Sequence, residues 1–296
     1  MDTTYFALIF FFYGLAFFSM GLVVTLEGGR ASDVRLRHAL RPLAAFGLIH
    51  GAHEWLEMFD RLRILPGDPL AWQAIRLAIL AFSFLSLAAF GGSLLAPNEY
   101  YRRLSLLIPL GQAAVWGIGI FIMRGVFSAD EMWKVADVWS RYVLAVPAAL
   151  LACSGLVAQQ RVFRQAGLTR FGQDSLWAAV AFAWYGLIGQ TFTQVSLLPP
   201  STFFNQDLFF RLFGFPVQLL RAASAVVSAI FVIRFLRSFE VEAQRQIAEL
   251  QAARLEVAHR REELRGELLR RVVVAQEAER QRIARELHDA TGQALT

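Results

Sequence analysis

Long apolar stretches are the feature that most constrains the fold of this chain. Seven segments are apolar enough, and at about 20 residues each long enough, to cross the hydrocarbon core of a bilayer as helices. A backbone in lipid must satisfy its own hydrogen bonds, so we expect an all-α, polytopic membrane helix bundle. We place the seven spans at residues 4–26, 39–59, 70–96, 103–126, 135–158, 174–197 and 213–237.

Composition and charge agree with a protein that lies mostly in a lipid bilayer. Of the residues, 56% are hydrophobic, and the mean hydropathy is +0.44. The formal net charge is +5, but from Ser238 onward 10 Arg face 11 Asp and Glu, so the basic excess lies in the apolar part. That distribution is typical of membrane topology, and we expect no direct nucleic-acid binding. The single cysteine, Cys153, excludes a disulfide framework.

The arginines of the predicted loops indicate an orientation. They favour the side that the positive-inside rule makes cytoplasmic, although Arg61 and Arg63 lie on the other side. With seven spans, this places the N-terminus outside and the C-terminus in the cytoplasm. The arginines on the predicted inner side are Arg30, Arg35, Arg37, Arg41, Arg102, Arg103, Arg161, Arg164 and Arg170.

A heptad pattern follows the last predicted span. Apolar residues recur every seven positions without an intervening proline, which predicts a parallel coiled coil and hence a homodimer. Glu240, Arg254 and Arg261 fall on the seam and weaken it. We therefore divide the chain into a transmembrane domain at 1–237, a coiled-coil helix at 238–271 and a third segment at 272–296. The heptad residues are Leu236, Ala243, Leu250, Val257 and Leu264.

The last segment places one histidine at the edge of an apolar helical stripe. His288 follows Leu287 and is followed at once by an acid, Asp289. An adjacent carboxylate can accept the proton of one imidazole nitrogen and leave the other free as a nucleophile. Gln293 lies one turn further on.

The run E-x-x-R-x-R-I-A-R-E-L-H-D-x-x-G-Q-x-L-T over residues 277–296 resembles the phosphoacceptor helix of bacterial sensor histidine kinases. It is similar to the class whose response regulators carry a helix-turn-helix DNA-binding domain. The resemblance implies that His288 is the phosphorylated residue and Asp289 its acid/base partner. It also implies that Gln293 orients water when the regulator is dephosphorylated, and Gly292 fits the same pattern.

The resemblance also implies a cofactor, a partner and a location. A histidine kinase uses ATP and Mg²⁺ in a domain that follows this hairpin, and the sequence contains no phosphate-binding loop of its own. We therefore expect this chain to be part of a longer kinase and to be inactive alone. The expected partners are a second copy and a cytoplasmic response regulator with a receiver domain, and the expected location is the bacterial inner membrane.

The second span carries the most informative polar residues inside the predicted bilayer. His50, His53, Glu54 and Glu57 stand at i, i+3, i+4 and i+7, so they share one helix face. Ionisable groups within a membrane are costly and usually mark a functional site. The predicted topology brings polar residues of three other spans to the same depth: Arg76, Gln190, Gln194, Gln218 and Arg221.

Three interpretations of this cluster remain open. One is an ion-pair network that joins Glu54 and Glu57 to Arg76 and Arg221. Another is a metal or haem site built on His50, His53, Glu54 and Glu57, because imidazole and carboxylate at these spacings can share an ion. The third is a site for a small polar ligand, a quinone headgroup or a proton.

Two further functions remain open for the whole chain. It could be a membrane binding or transport protein with a helical oligomerisation tail and no phosphotransfer. It could also be a membrane metalloenzyme built on the cluster of span two.

Overall fold

A computed structural model describes residues 3–30, 34–165 and 169–294 of the chain. The side chains of residues 30, 34, 35, 130, 169–171, 237–243, 246 and 286–294 are not among those described. Within these ranges the fold is all-α. The helices are α1 (Thr3–Glu27), α2 (Val34–Arg61), α3 (Pro69–Leu95), α4 (Glu99–Ser105), α5 (Leu107–Arg124), α6 (Ala129–Ser140), α7 (Val146–Gln165), α8 (Thr169–Trp184), α9 (Gln206–Phe213) and α10 (Val217–Ala294), with π-helical segments at Arg141–Ala145 and Tyr185–Gly189.

Five helical segments of the described chain are long and apolar enough to cross a membrane. They correspond to the first, third, fourth, fifth and seventh predicted spans. The second predicted span is helical in α2, but its Arg, His and Glu residues lower its hydropathy, and it is not among the five. The sixth is helical in α8, which has only 16 residues before its π segment. The five segments are Thr3–Glu27, Pro69–Leu95, Glu99–Arg124, Glu131–Gln165 and Val217–Leu236.

The sixth predicted span was placed at 174–197, but the helical backbone ends at Gly189. The physical reason is a side chain from α10. The guanidinium of Arg221 donates to the carbonyl oxygens of Gly189, at 2.6 Å, and Phe192, at 3.1 Å. Backbone groups at the end of a helix need such replacement partners when they are buried. The chain therefore leaves the helix at this point without orphaning these carbonyls.

The seventh predicted span begins later than its predicted start at residue 213. A short helix, α9, ends at Phe213 and is capped by Gly214 in the left-handed conformation, with φ of 76°. At its other end, the side-chain oxygen of Asn205 accepts from the N–H groups of Asp207 and Leu208. These two caps fix a helix that the apolar pattern did not indicate.

Contacts divide the chain into two units, Met1–Glu240 and Val241–Thr296. In the first, the most extensive interfaces join α1 to α2, α2 to α3, α3 to α7 and α7 to α8. Its core includes the fully buried side chains of Phe17, Phe46, Phe84, Phe90 and Phe182. The second unit is helical through Ala294, and its described side chains, from Gln244 to Arg285, are exposed.

Glycines let α1 and α2 approach with their backbones in contact. A Cβ atom on Gly47 would lie 2.7 Å from the Cα atom of Gly21, and one on Gly21 would lie 2.5 Å from the backbone nitrogen of Leu48. Close approach through small residues is the usual way in which membrane helices gain packing energy. The contact between these glycines fixes the rotation of α2 about its own axis relative to α1.

A Gly47→Ala substitution should lower the free energy of unfolding by about 1–3 kcal/mol, because the added methyl group meets backbone that cannot move aside. Gly117→Ala on α5 is the matched control, since nothing lies within 4 Å of a Cβ atom there. The control should leave stability unchanged or raise it, because alanine favours helix more than glycine does. Thermal unfolding in detergent measures both, and equal effects would contradict the packing argument.

Candidate functional site

The polar face of α2 lies inside the helix bundle. His50, His53 and Glu54 are 0%, 1% and 3% exposed, and Glu57 is partly buried. We call these four residues the α2 polar cluster. The shared face follows from their spacing on one helix, and its inward direction follows from the glycine packing of α1 against α2. Polar groups buried at this depth need hydrogen-bond partners, and the neighbouring helices supply them.

His50 lies at the centre of a hydrogen-bonded chain that crosses four elements. Its Nδ1 atom is 2.9 Å from the hydroxyl of Ser83 on α3. Its Nε2 atom is 2.7 Å from the hydroxyl of Tyr185 in the second π segment. Tyr13 of α1 donates to the Tyr185 hydroxyl at 2.9 Å. The ring of Phe46 stacks on the imidazole with centroids 5.1 Å apart.

These contacts assign the protons of the chain. The Ser83 hydroxyl donates to the Leu80 carbonyl at 2.7 Å, so it accepts from Nδ1–H of His50. Nε2 of the neutral ring is then an acceptor for the hydroxyl of Tyr185. The tautomer follows from the network, because one ring nitrogen of a neutral histidine donates and the other accepts.

Glu54 introduces a second arrangement of protons. Its Oε1 atom lies 3.3 Å from Nε2 of His50 and 3.3 Å from Nδ1 of His53. A carboxylate facing an unprotonated Nε2 is repelled, whereas a carboxylate facing an imidazolium N–H is stabilised. A proton gained by His50 would therefore turn its Nε2 atom from an acceptor for Tyr185 into a donor to Glu54. Burial disfavours the charged ring, so the described contacts correspond to the neutral pattern.

The rest of the cluster belongs to an ion-pair network. Glu57 pairs with Arg76 of α3 at 3.0 Å, as one interpretation of the sequence expected, and Arg76 also contacts Asp60. The other expected pairing is not made, because Arg221 is bound to backbone carbonyls instead. No ion pair between Arg221 and Glu54 or Glu57 occurs among the described residues.

Asp137 and Arg141 also belong to the network, although the sequence analysis did not select them. Oδ2 of Asp137 lies 3.0 Å from Nε of Arg141 and accepts from the side-chain amide of Gln194 at 3.2 Å. Arg141 also donates to the side-chain oxygen of Gln190 at 2.7 Å. The sequence signal for this ion pair was its spacing, because opposite charges four residues apart inside a predicted span can pair on one helix face.

The two π-helical segments begin at residues of this network. One starts at Arg141 and the other at Tyr185. Single-turn π segments occur frequently at functional sites, where they re-aim a side chain. No sequence signal distinguished Tyr13 or Tyr185 from the many other aromatic residues of the apolar spans.

Two neighbouring cavities lie along the network. They have volumes of about 230 Å³ and about 210 Å³, and they share Glu57, Arg76, Asp137 and Gln194. We call the second one the polar cavity. Its lining is Phe10, Glu54, Glu57, Asp60, Arg61, Arg76, Asp137, Arg141, Gln194, Gln206, Gln218 and Arg221.

The metal or haem interpretation finds no preformed set of ligands. Both ring nitrogens of His50 have hydrogen-bond partners. One nitrogen of His53 lies 3.3 Å from Glu54, and the other lies 3.8 Å from Glu57, beyond hydrogen-bond distance. Within the described ranges, no group of three or more His, Cys, Asp or Glu residues is arranged to hold a metal. A bound metal therefore stays a prediction that needs a direct measurement.

The predicted phosphoacceptor residues lie near the end of α10, which remains helical through Ala294. The side chains of His288, Asp289 and Gln293 are outside the described set, so their roles stay predictions.

Comparison with known proteins gives no family for this chain. Protein-family models, curated proteins and solved structures were searched, and none of them matches.

Ser83→Ala should lower the free energy of unfolding by about 1–3 kcal/mol, because it leaves the buried Nδ1–H of His50 without an acceptor. Ser86→Ala, on the same helix, is the control. Ser86 makes a similar hydroxyl-to-carbonyl bond, to Phe82 at 2.9 Å, and removing it should have a smaller effect. Chemical or thermal unfolding compares the two, and an effect of Ser83→Ala no larger than that of Ser86→Ala would contradict the network.

Elemental analysis and an absorption spectrum test the metal interpretation directly. The purified protein and a His50→Ala, His53→Ala double variant should give the same background metal content and no haem band. Stoichiometric metal or a haem band in the unaltered protein, lost in the variant, would show that the cluster is a cofactor site after all.

Proposed function

We propose that this chain is the sensory and phosphoacceptor part of a bacterial membrane sensor histidine kinase. The observation that carries the proposal is the motif around His288, with an acid directly after the histidine and a glutamine one turn later. A seven-span sensor domain with its N-terminus outside, a dimeric helix and the start of a phosphotransfer hairpin form the proposed organisation.

The proposed reaction is phosphoryl transfer to an imidazole. A nitrogen of His288 forms a bond to the γ-phosphorus of ATP while the bond from that phosphorus to the bridging oxygen breaks, and ADP leaves. Asp289 takes the proton of the other ring nitrogen as the first becomes bonded to phosphorus. The phosphoryl group then passes to an aspartate of the response regulator. ATP is the phosphoryl donor of the proposed reaction, and Mg²⁺ is the metal ion that it requires.

Self-association of the second unit is part of the same proposal. Its heptad residues Leu250, Val257 and Leu264 are 63%, 54% and 56% exposed in the single chain. Apolar side chains at this spacing are typical of a seam that a second copy covers. Phosphoacceptor helices of this class work as pairs, so a homodimer would supply both the seam and the partner helix.

The proposed sensory route starts at α10, because this helix carries both Arg221 of the polar cavity and the phosphoacceptor motif. A change in the hydrogen bonds of Arg221 would alter how the start of α10 is held. Membrane binding or transport without phosphotransfer is the second candidate, and the polar cavities among apolar helices favour it.

His288→Gln should abolish phosphohistidine on the protein and the response of its regulator, because glutamine cannot accept a phosphoryl group stably. The variant is made in the intact kinase in its host cell, and the phosphorylated peptide is identified by mass spectrometry under alkaline conditions. His259→Gln is the matched control, since His259 is an exposed histidine of the same helix. It should leave both readouts unchanged. Absence of phosphohistidine from the unaltered protein, with a regulator response that is the same in His288→Gln, would support the second candidate. A phosphohistidine that persists in His288→Gln would show that the phosphoacceptor is another residue.

A further inference from the structure

The polar cavity is lined by four carboxylates, and each has a partner. Glu57 and Asp60 contact Arg76, and Asp137 contacts Arg141. Glu54 lies between His50 and His53. The negative charges of the cavity are therefore already engaged within the protein.

Two arginines of the same cavity have no carboxylate partner among the described residues. Arg221 is 7% exposed and is bound only to the carbonyl oxygens of Gly189 and Phe192. Arg61, at the end of α2, lies over the rings of Phe6 and Phe10 at 4.8 and 5.1 Å. For Arg221 the lack of a counter-charge is costly, because its guanidinium is buried, whereas Arg61 is exposed. Carboxylate and phosphate are the natural ligands of a guanidinium.

Another cavity, with both polar and apolar walls, adjoins the polar cavity at Arg61. Its volume is about 280 Å³, and it shares Arg61, Gln206 and Gln218 with the polar cavity. Phe6, Phe210 and Pro216 line its remaining wall, together with Asp207, which is exposed. One ligand could therefore place a charged group among the arginines and amides and an apolar body against these rings.

We propose that these two cavities bind a small organic acid, with its carboxylate at Arg221 and Arg61 and its apolar body against Phe6, Phe210 and Pro216. Gln206 and Gln218, which contact each other at 3.4 Å, supply amide donors beside the carboxylate. The site favours an organic acid over inorganic phosphate, because phosphate has no apolar body to place against Phe6, Phe210 and Pro216.

Binding would act on the helix that carries Arg221. The Nε and Nη2 atoms of Arg221 donate to the carbonyl oxygens of Gly189 and Phe192, and a carboxylate that accepts from the other N–H groups of this guanidinium would add a contact at the start of α10. This step deepens the proposed function and rests on it, whereas the binding itself does not depend on phosphotransfer.

Phenylacetate is the probe, and its neutral and cationic counterparts 2-phenylethanol and 2-phenylethylamine carry the same ring. Binding to the purified protein in detergent is measured by isothermal titration calorimetry. Phenylacetate should bind saturably and about tenfold or more tighter than either counterpart, as expected for a charge-assisted hydrogen bond. Inorganic phosphate tests the preference for an organic monoanion and should bind more weakly than phenylacetate.

Arg61→Gln should weaken the binding of phenylacetate by about tenfold, and Arg61→Lys should retain part of the affinity. Arg103→Gln is the control, because the Arg103 side chain is 79% exposed and lies outside these cavities. Arg221→Gln should abolish binding, with circular dichroism used to check that it folds. Since Arg61 is exposed, its variants test the site even where Arg221→Gln does not fold.

Several results would overturn the proposal: no saturable binding of phenylacetate, equal binding of 2-phenylethanol, equal binding of phosphate, or full affinity in Arg61→Gln. The same titration on His288→Gln should give unchanged affinity. Failure of binding is therefore distinguished from failure of phosphotransfer.

Discussion

The need to satisfy every polar group inside an apolar helix bundle shapes the first unit of this protein. Lipid offers no hydrogen bonds, and a buried polar group without a partner costs several kcal/mol. That is a large fraction of the free energy of unfolding of a whole domain. The α2 polar cluster meets this requirement through Ser83, Tyr13, Tyr185 and Arg76, which come from three other parts of the fold. Those partners hold the helices in one arrangement.

The same requirement explains the irregular backbone around the site. The helix that contains Tyr185 passes into a π segment and stops at Gly189, and Arg221 takes over the carbonyl groups that are left. Buried backbone outside a helix is tolerated where other parts of the protein supply its hydrogen bonds. Here an arginine does so from α10, and the same side chain lines the polar cavity.

Much of the fold could be predicted from hydropathy, because the length of an apolar stretch directly reports the thickness that it can cross. The predicted helix boundaries were wrong where contacts between distant parts of the chain decide where a helix ends. The sixth predicted span was too long because no local pattern shows that Arg221 ends it. Helix α9 was missed because its eight residues are too few to cross a bilayer, and hydropathy indicates only segments of that length. The α2 face was predictable from its spacing, but the tyrosines that bond to His50 were not.

Local sequence was enough to establish that the described chain is helical, that its apolar segments suit a bilayer, and that four ionisable residues share one face of α2. Periodicity and hydropathy are local properties, so they can be read without coordinates. What that face meets was settled by tertiary packing alone. Packing paired Glu57 with Arg76, gave His50 hydrogen-bond partners on α3 and in the second π segment, and left Arg61 and Arg221 without carboxylates among the described residues. Such pairings depend on how helices distant in sequence rotate and pack, and close glycine contacts such as those between α1 and α2 fix that rotation.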